Sequence, residues 1–132
     1  MRIAICDDEK NIRELIANKV AKQYPDAEII FFQSGEELLL SDESIDILFL
    51  DIQMSGMDGM ETARELRKKD KNVILIFVTA LEEYVFRAFD VGAFNYIVKP
   101  IDDGKFSDVL HRAVDEWSSQ NINEKEPEER YV

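Results

Sequence analysis

Cysteine, glycine and proline are scarce in this sequence, and long apolar runs are missing from it. The only cysteine, Cys6, cannot form a disulfide within the chain, which predicts a cytosolic protein. No apolar run reaches the roughly 18–20 residues of a membrane-spanning helix, and the N-terminus lacks the apolar stretch of a signal peptide. The five glycines form neither of the glycine-rich phosphate loops of nucleotide-binding proteins. The sequence therefore argues against a secreted protein, a membrane partner and a nucleotide-binding module.

Basic residues are also in short supply, with 16 Lys and Arg against 28 Asp and Glu and a net charge of −12 in 132 residues. A protein that wraps the phosphate backbone of nucleic acid requires clustered Lys and Arg, so we expect no nucleic-acid binding by this segment itself. The charge suits a domain that handles cations, or small phosphates with the help of a cation. Apolar residues make up 45% of the chain, which is enough for the core of one domain.

Five short apolar runs, rich in Ile, Val and Phe, alternate with segments of helical spacing. Three of the runs are nearly continuous, as expected of strands buried on both faces of a parallel sheet. The predicted strands are Arg2–Cys6, Ala27–Phe32, Ile45–Leu50, Val73–Val78 and Phe94–Val98. The predicted helices are Asn11–Tyr24, Gly35–Leu40, Gly59–Lys69, Tyr84–Val91 and Phe106–Trp117. This alternation predicts an α/β fold with a doubly wound five-stranded parallel sheet flanked by helices.

The composition changes after Trp117, where the segment SSQNINEKEPEERYV is polar and charged and contains Pro127. Such a stretch is typical of a linker. We therefore predict one domain over residues 1–117 and a linker over residues 118–132 that leads towards a further C-terminal domain. An ordinary frayed chain end is the alternative.

Polar and charged side chains follow four of the five predicted strands. Asp7 and Asp8 come directly after the first strand and Asp51 after the third; Thr79 and Lys99 follow the fourth and fifth. In open α/β sheets, ligands gather outside the carboxyl ends of the strands. Each residue alone has an ordinary explanation, as a turn former, a helix cap or a solvated charge. Together they predict a functional site at this edge of the sheet.

The chemistry of these five side chains predicts phosphoryl transfer to an aspartate. Three neighbouring carboxylates repel one another, so at least one pKa should rise unless a cation is bound. Mg²⁺ suits such a site because it binds one or two carboxylates and keeps waters and phosphate oxygens in its shell. A carboxylate between a metal and Lys99 is poised to attack phosphorus, since both cations stabilise the transferred oxygens. We therefore expect an aspartyl phosphate on Asp51, with Thr79 donating a hydrogen bond to the phosphoryl group.

The same residues resemble the motifs of a known family, the receiver domain of bacterial two-component response regulators. The ordered motifs match at Asp7-Asp8, at DIQMSGMDG (51–59), at Thr79-Ala80 and at Tyr96 with Lys99-Pro100. The resemblance covers about residues 1–117 and implies the flavodoxin-like, CheY-like three-layer sandwich of that family.

The resemblance assigns a role to each residue at the acidic edge. Asp51 would be the phosphoacceptor and a metal ligand, and Asp8 would be the carboxylate that binds Mg²⁺ directly. Asp7 would hold a metal-bound water. The backbone carbonyl of Gln53 would complete the protein ligands.

The resemblance also implies which residues contact and sense the phosphoryl group. Thr79, Ala80 and Lys99 would contact it. Thr79 and Tyr96 would form a switch, in which Thr79 moves towards a phosphoryl oxygen and Tyr96 turns inward to fill the vacated space. A cis peptide bond is implied between Lys99 and Pro100.

Two positions bear on the loop and on the lifetime of the phosphoryl group. Ser55 stands where the family usually has proline, which we expect to loosen the loop after Asp51. The resemblance places Leu81, two residues after Thr79, at a position where the family tunes the lifetime of the phosphoryl group. Leu81 cannot hydrogen-bond a water, which predicts slow autodephosphorylation. We therefore expect no enzyme activity beyond self-phosphorylation, from phosphohistidine or small phosphodonors, and slow loss of the phosphoryl group.

The resemblance implies a sensor histidine kinase as the partner, recognised through the first predicted helix (Asn11–Tyr24). The fourth predicted helix (Tyr84–Val91) carries more apolar surface than a core-facing stripe requires. We interpret part of it, with the fifth strand, as a surface for homodimerisation on phosphorylation. A wide core-facing surface is the alternative.

The segment Ala88–Ile101 is similar to that of response regulators with a LytTR-type DNA-binding output domain. This implies a transcription factor that contacts DNA only through a C-terminal domain outside this sequence. A free-standing receiver that signals by protein contact is the alternative. A phosphatase of the haloacid-dehalogenase kind is disfavoured, because Gln53 stands where that class needs a second aspartate.

Overall fold

The computed structural model describes the backbone of residues 1–125 and the side chains of residues 1–121, and strands alternate with helices throughout. The strands are β1 (Arg2–Cys6), β2 (Glu28–Phe32), β3 (Ile47–Leu50), β4 (Ile74–Thr79) and β5 (Asn95–Val98). The helices are α1 (Lys10–Gln23), α2 (Gly35–Leu40), α3 (Gly59–Lys69), a 3₁₀ helix (Glu82–Val91) and α4 (Asp103–Lys125). Every predicted strand is present, and α2 and α3 have the predicted bounds.

The five strands form one parallel sheet in the order β2-β1-β3-β4-β5. The order reverses after β2, because the chain returns past β1 to place β3 on its other side. Cys6 pairs with Leu50, Leu50 with Phe77, and Thr79 with Val98, so the carboxyl ends of the four strands β1, β3, β4 and β5 are aligned. This alignment brings the residues that follow these strands to one edge of the sheet, as the sequence predicts.

The core lies on both faces of the sheet. All residues of β3 and β4 are buried, which explains why their sequences are continuously apolar rather than alternating. One face packs against α2, α3 and the 3₁₀ helix through residues such as Leu48 and Phe77. The other face packs against α1 and α4, where the rings of Phe49 and Phe106 stack with centroids 5.2 Å apart. The molecule is therefore the predicted three-layer α/β sandwich.

Side-chain caps set the beginnings of the two short helices beside the acidic edge. Ser34 precedes α2, and its Oγ accepts a hydrogen bond from the Glu37 N–H at 3.0 Å. Asp58 precedes α3, and its Oδ1 accepts one from the Glu61 N–H at 2.9 Å. Asp58 therefore belongs to the helix cap, whereas Asp51 in the same loop remains available for chemistry.

The fourth helix differs from the prediction in its geometry, because Glu82–Val91 is a 3₁₀ helix and not an α-helix. Its aromatic and β-branched residues are weak α-helix formers. Its C-terminal end is held from outside by Arg67, whose guanidinium donates to the carbonyl oxygens of Val91 (2.7 Å) and Gly92 (3.0 Å). Gly92 ends the helix in the left-handed conformation, with a φ of 62°.

The last helix is longer than predicted. The apolar stripe ends at Trp117, but α4 continues to Lys125 through part of the predicted linker 118–132. Glu, Lys and Gln favour helix without an apolar face, so helix extends past the stripe. Residues 126–132 lie outside the described residues, and the domain boundary after residue 117 stays a prediction. No helix in the described part of the chain is long and apolar enough to cross a membrane.

Candidate functional site

Three carboxylates meet at the carboxyl edge of the sheet. Asp7 and Asp8 follow β1, and Asp51 follows β3, whose neighbour in the sheet is β1; the Asp51 N–H donates to the Cys6 carbonyl at 3.0 Å. Each carboxylate offers an oxygen within 4.8 Å of the other two. Asp7 and Asp51 are only 1% and 4% exposed, whereas Asp8 lies at the surface. The acidic cluster predicted from the strand ends is therefore present.

Lys99 is the cation of this cluster. Its ammonium Nζ lies 3.1 Å from Asp7 Oδ2 and 3.2 Å from Asp51 Oδ2, and its side chain is 17% exposed. The sequence predicts a lysine beside Asp51, and the structure shows that the same lysine also pairs with Asp7. One partly buried positive charge is thus shared between two buried carboxylates.

The pKa of Asp7 is raised, as expected for one member of the cluster, but burial is the larger cause and the charge of Asp51 the smaller. The Glu9 N–H, which donates to Asp7 Oδ1 at 2.9 Å, and the Lys99 ammonium oppose this rise. Burial lowers the pKa of Lys99, yet the carboxylates of Asp51 and Asp7 outweigh it and the pKa is raised overall. The predicted rise is therefore present, with desolvation as its main cause and repulsion by Asp51 as a contributor.

The acidic cluster opens into a cavity of about 590 Å³ lined by Asp8, Glu9, Asp51, Gln53, Met54, Ser55, Ala80 and Lys99. The donors that converge at its base are carboxylate oxygens, the ligand type that Mg²⁺ prefers. The Gln53 N–H donates to Asp51 Oδ1 at 3.2 Å, which places the backbone of residue 53 against the phosphoacceptor candidate. These oxygen ligands therefore fit Mg²⁺, which Asp7, Asp8 and Asp51 would bind.

Thr79 and Ala80 lie at the end of β4, beside the cavity. Ala80 is exposed and lines it, whereas Thr79 is fully buried. The Thr79 hydroxyl accepts a hydrogen bond from the Leu81 N–H at 3.4 Å. The hydroxyl accepts this bond through a lone pair, so its proton can still be donated to a phosphoryl oxygen. The movement of Thr79 towards that oxygen stays a prediction.

Tyr96 on β5 is connected to the segment that follows Thr79. Its hydroxyl donates to the Leu81 carbonyl, and its ring lies 6.0 Å from that of Phe77. Burial, with smaller contributions from nearby acidic groups, raises the pKa of Tyr96 to about 12. The peptide bond between Lys99 and Pro100 is cis, which confirms that expectation.

Replacing Tyr96 by phenylalanine should lower the free energy of unfolding by about 1 kcal/mol at pH 7, because the bond to the Leu81 carbonyl is lost. The folded chain holds the hydroxyl proton to about pH 12 and the unfolded chain only to about pH 10, so wild-type stability falls across this window. The Tyr96→Phe variant has no hydroxyl to titrate, so its free energy of unfolding should not show this decrease. Urea unfolding at pH 7 to 11 measures both effects.

The matched control for this substitution is Tyr84→Phe. Tyr84 lies in the neighbouring 3₁₀ helix, and the guanidinium of Arg87 stacks over its ring at 5.0 Å from the centroid. The variant retains the ring and therefore this contact. We expect a change within about 0.5 kcal/mol. Equal losses in the two variants would contradict a specific role for the Tyr96 hydroxyl.

Glycine is required where the loop after Asp51 enters α3. A Cβ atom on Gly59 would lie 2.1 Å from the Asp51 carbonyl oxygen, which no real side chain tolerates. The Gly59 N–H donates to the Ile52 carbonyl at 2.8 Å. Gly56, in the middle of the same loop, has a φ of +75°. The two glycines of the segment 51–59 therefore let the loop return tightly beneath the phosphoacceptor candidate.

Several contacts of the site were not predicted from the sequence. The Ser55 N–H donates to Asp8 Oδ2 and the Met57 N–H to Glu36 Oε2, both at 3.2 Å. These bonds hold the loop that the replacement of proline by Ser55 was expected to loosen. Every residue except proline has a backbone N–H, so a sequence does not show which of them donate. The only signal for the Ser55 contact is that position 55 is not proline.

The 3₁₀ helix presents the aromatic surface that the sequence predicts. Phe86 and Phe89 are 83% and 79% exposed, while Ala88 and Val91 of the same helix are buried. The apolar residues of this helix therefore do not all face the core, and the alternative of a wide core-facing surface is wrong for these two phenylalanines.

The sequence matches the family described as the response regulator receiver domain over residues 3–111. It is similar to the sensory transduction protein LytT of Bacillus subtilis, with 31% identity over 85% of this chain and 47% of that protein. It is also similar to the transcriptional regulatory protein BtsR of Salmonella typhimurium, with 40% identity over 59% of this chain and 32% of that protein. The chain thus spans about half the length of these curated relatives or less.

Among solved structures, the fold is similar to that of the response regulator protein TrrA from Thermotoga maritima in complex with Mg²⁺ and BeF. The TM-score is 0.76 and the sequence identity 33%, over 85% of this chain and 97% of that one.

Proposed function

The chain belongs to the response regulator receiver domain family, and on this premise we propose that Asp51 accepts a phosphoryl group from a sensor histidine kinase in a Mg²⁺-dependent reaction. Receiver domains bind Mg²⁺ and interact with histidine kinases. The observation that carries the proposal is the convergence of Asp7, Asp8 and Asp51 with Lys99 at the base of an open cavity.

Each side chain at the site has a separate role in the phosphoryl transfer. An oxygen of the Asp51 carboxylate attacks phosphorus; the new bond is P–O, and the bond that breaks is the P–N bond of phosphohistidine, whose electron pair stays on the imidazole nitrogen. The Lys99 ammonium, 3.2 Å from Asp51 Oδ2, holds the attacking group and then the transferred oxygens. Ala80 and the hydroxyl of Thr79 complete the contacts to the phosphoryl group.

Mg²⁺ held by Asp8 and Asp51, by the Gln53 carbonyl and through water by Asp7, would supply positive charge to the phosphoryl oxygens. This chain's own acidic groups bind and orient it. Lys99 neutralises Asp7 and Asp51 in part, so the remaining negative charge favours a divalent cation. We propose that the chain turns over no other substrate. We also propose that it loses the phosphoryl group slowly, because Leu81 offers no group that could position a water for hydrolysis.

Incubation with Mg²⁺ and acetyl phosphate should add one phosphoryl group to the protein, as measured by intact mass. Chelation of the metal should abolish the gain. Borohydride reduces an acyl phosphate to an alcohol, so peptide sequencing of the reduced protein should find homoserine at position 51. A phosphoryl group at another residue, or an equal gain without metal, would overturn the assignment.

The proposed output is transcription control through a C-terminal DNA-binding domain of the LytTR type. It is supported by the segment Ala88–Ile101, by the similarity to LytT and BtsR, and by the length of those relatives beyond the matched part. A free-standing receiver that signals by protein contact is the second candidate. A reading frame that continues into a DNA-binding domain after residue 132 would support the first, and a prompt stop codon the second.

Receiver domains often dimerise, and we propose that Phe86 and Phe89 of the 3₁₀ helix, with β5, form a homodimer surface on phosphorylation. Beryllofluoride with Mg²⁺, a stable phosphoryl mimic, should shift the protein from monomer to dimer in sedimentation velocity. Phe89→Asp should prevent the shift, because the side chain is 79% exposed and its replacement introduces charge into the interface without disturbing the core.

The matched control for the dimer surface is Leu40→Asp. Leu40 is 84% exposed at the end of α2, on a different part of the molecule. It should dimerise like the wild type. A wild type that stays monomeric with beryllofluoride, or equal losses in the two variants, would refute this surface.

A further inference from the structure

The loop between β3 and α3 is held at two points by carboxylates of neighbouring segments. The Ser55 N–H donates to Asp8 Oδ2, and the Met57 N–H donates to Glu36 Oε2, both at 3.2 Å. Gly56 lies between the two donors with a φ of +75°. The loop backbone thus bridges the acidic edge, through Asp8, to the first turn of α2, through Glu36.

Asp8 needs such a contact more than its two acidic neighbours do. Asp7 and Asp51 are buried and paired with Lys99, so packing and charge fix their side chains. Asp8 is exposed, and an exposed carboxylate without a partner rotates among its staggered conformers. A backbone N–H aimed at one of its oxygens selects the conformer that faces the loop and the cavity.

We propose that the Ser55 peptide N–H positions the Asp8 carboxylate for metal binding, an inference that rests on the proposed function of the site. The bond occupies one Asp8 oxygen and leaves the other for the cation. A hydrogen-bond partner that orients a metal-binding carboxylate raises metal affinity, because less rotational freedom is lost on binding. Ser55 acts through its backbone, so it is a positioning residue and its hydroxyl is dispensable.

The chemical requirement is that residue 55 carry a peptide N–H. Every amino acid except proline meets this requirement. Proline, which the receiver family usually has here, leaves Asp8 without this donor, so the departure at Ser55 adds a contact in place of a rigid ring. The second anchor, between Met57 and Glu36, keeps residue 55 in reach of Asp8 although the loop lacks the proline.

The test compares Ser55→Pro with Ser55→Ala by titrating Mg²⁺ into each 132-residue chain and measuring the dissociation constant calorimetrically. Ser55→Pro removes the N–H and should weaken Mg²⁺ binding about tenfold, the lower end of the range for such partners, since the contact is at the surface. Ser55→Ala keeps the N–H and should bind Mg²⁺ within about twofold of the wild type. Equal affinities of the two variants would overturn the inference.

A second measurement does not depend on the folding of the proline variant. In the metal-free wild type, the Ser55 amide proton should resonate downfield, as expected of a donor to a carboxylate, and Asp8→Ala should move it upfield. The amide proton of Met57, which donates to Glu36, should stay in place and serves as the control. A Ser55 amide resonance that is indifferent to Asp8→Ala would overturn the proposed contact.

The possible failures of the two proposals are distinct. A wild type that binds no Mg²⁺ would overturn the proposed function, and the positioning role with it. A wild type that binds Mg²⁺ and takes up a phosphoryl group, with equal affinities for the proline and alanine variants, would overturn the positioning role alone. A loss of affinity confined to Ser55→Pro supports it.

Discussion

Asp51→Ala should gain no phosphoryl group under conditions in which the wild type is converted by acetyl phosphate and Mg²⁺. Asp51 lies in a cavity of about 590 Å³, its Oδ2 is 3.2 Å from the Lys99 ammonium, and its Oδ1 accepts the Gln53 N–H. Removing the carboxylate removes the only atom proposed to attack phosphorus, so the loss should be complete rather than partial. Intact mass spectrometry measures it directly.

Two further substitutions separate loss of the nucleophile from loss of structure. Asp51→Asn keeps the shape and an oxygen that can accept hydrogen bonds, but its amide is a poor nucleophile, so it should also remain unmodified. Asp58→Asn alters another acidic residue of the same loop and keeps a side-chain oxygen for the cap of α3. It should be phosphorylated like the wild type. A phosphorylated Asp51→Ala protein would disprove the role of Asp51.

Lys99→Met should lower the free energy of unfolding by about 3 kcal/mol at pH 7 in metal-free buffer. Breaking a buried ion pair by removing one partner costs roughly 3–5 kcal/mol, because the other charge is left buried and uncompensated. Here one lysine serves two carboxylates that are 1% and 4% exposed, and its own 17% exposure favours the lower end of that range. Urea unfolding of both proteins measures the difference. The same variant should accept phosphoryl groups far more slowly.

The loss in free energy of unfolding that Lys99→Met causes, called the deficit below, should depend on pH and on bound metal. The pKa of Asp7 is raised in the folded chain, so acidification protonates Asp7 more readily there than in the unfolded chain and relieves the uncompensated charge. The deficit should therefore shrink as the pH falls towards 4, and millimolar Mg²⁺ should reduce it at pH 7. The wild-type contribution of Lys99 is present below its unfolded pKa of 10.5 and is lost as the pH rises through its raised folded value.

Lys19→Met is the matched control for Lys99. The Lys19 side chain is similarly covered, at 16% exposure, but its partner Asp103 is 88% exposed and remains solvated when the lysine is removed. Such a pair contributes about 1 kcal/mol or less. Equal destabilisation by the two substitutions would show that the lost methylene packing, and not the buried charges, accounts for the effect of Lys99→Met.

The fold could be predicted from the sequence because its strongest signals are local. β3 and β4 are buried along their whole length and read as unbroken apolar runs, and α2 has the bounds that the sequence predicts. The 3₁₀ geometry of Glu82–Val91 could not be predicted, because the spacing of apolar residues in a short segment does not separate a 3₁₀ helix from an α-helix. Nor could the contacts of Arg67 with its C-terminal end, which come from a distant part of the chain. The extension of α4 to Lys125 was missed because exposed helix carries no apolar stripe.

The acidic cluster could be predicted because parallel strands place their carboxyl ends at one edge, whatever the details of packing. The second partner of Lys99 could not, since it requires β5 to lie at a specific distance from β1. The dominance of burial in the pKa of Asp7 also depends on packing. The metal-ligand role of the Gln53 carbonyl, the phosphoryl contact by Ala80 and the kinase surface on the first helix stay predictions.

Lys99 reaches Asp7 across 92 positions and Asp51 across 48, and this separation has a consequence for biosynthesis. All three acidic residues are synthesised well before the lysine that neutralises two of them. Contacts so distant in sequence close long loops, which costs entropy and slows assembly. A nascent chain that has not yet paired β5 with β4 therefore carries the acceptor without its cation. Under the proposed function, the Asp51 site therefore gains the lysine that assists phosphoryl transfer only when β5 has joined the sheet.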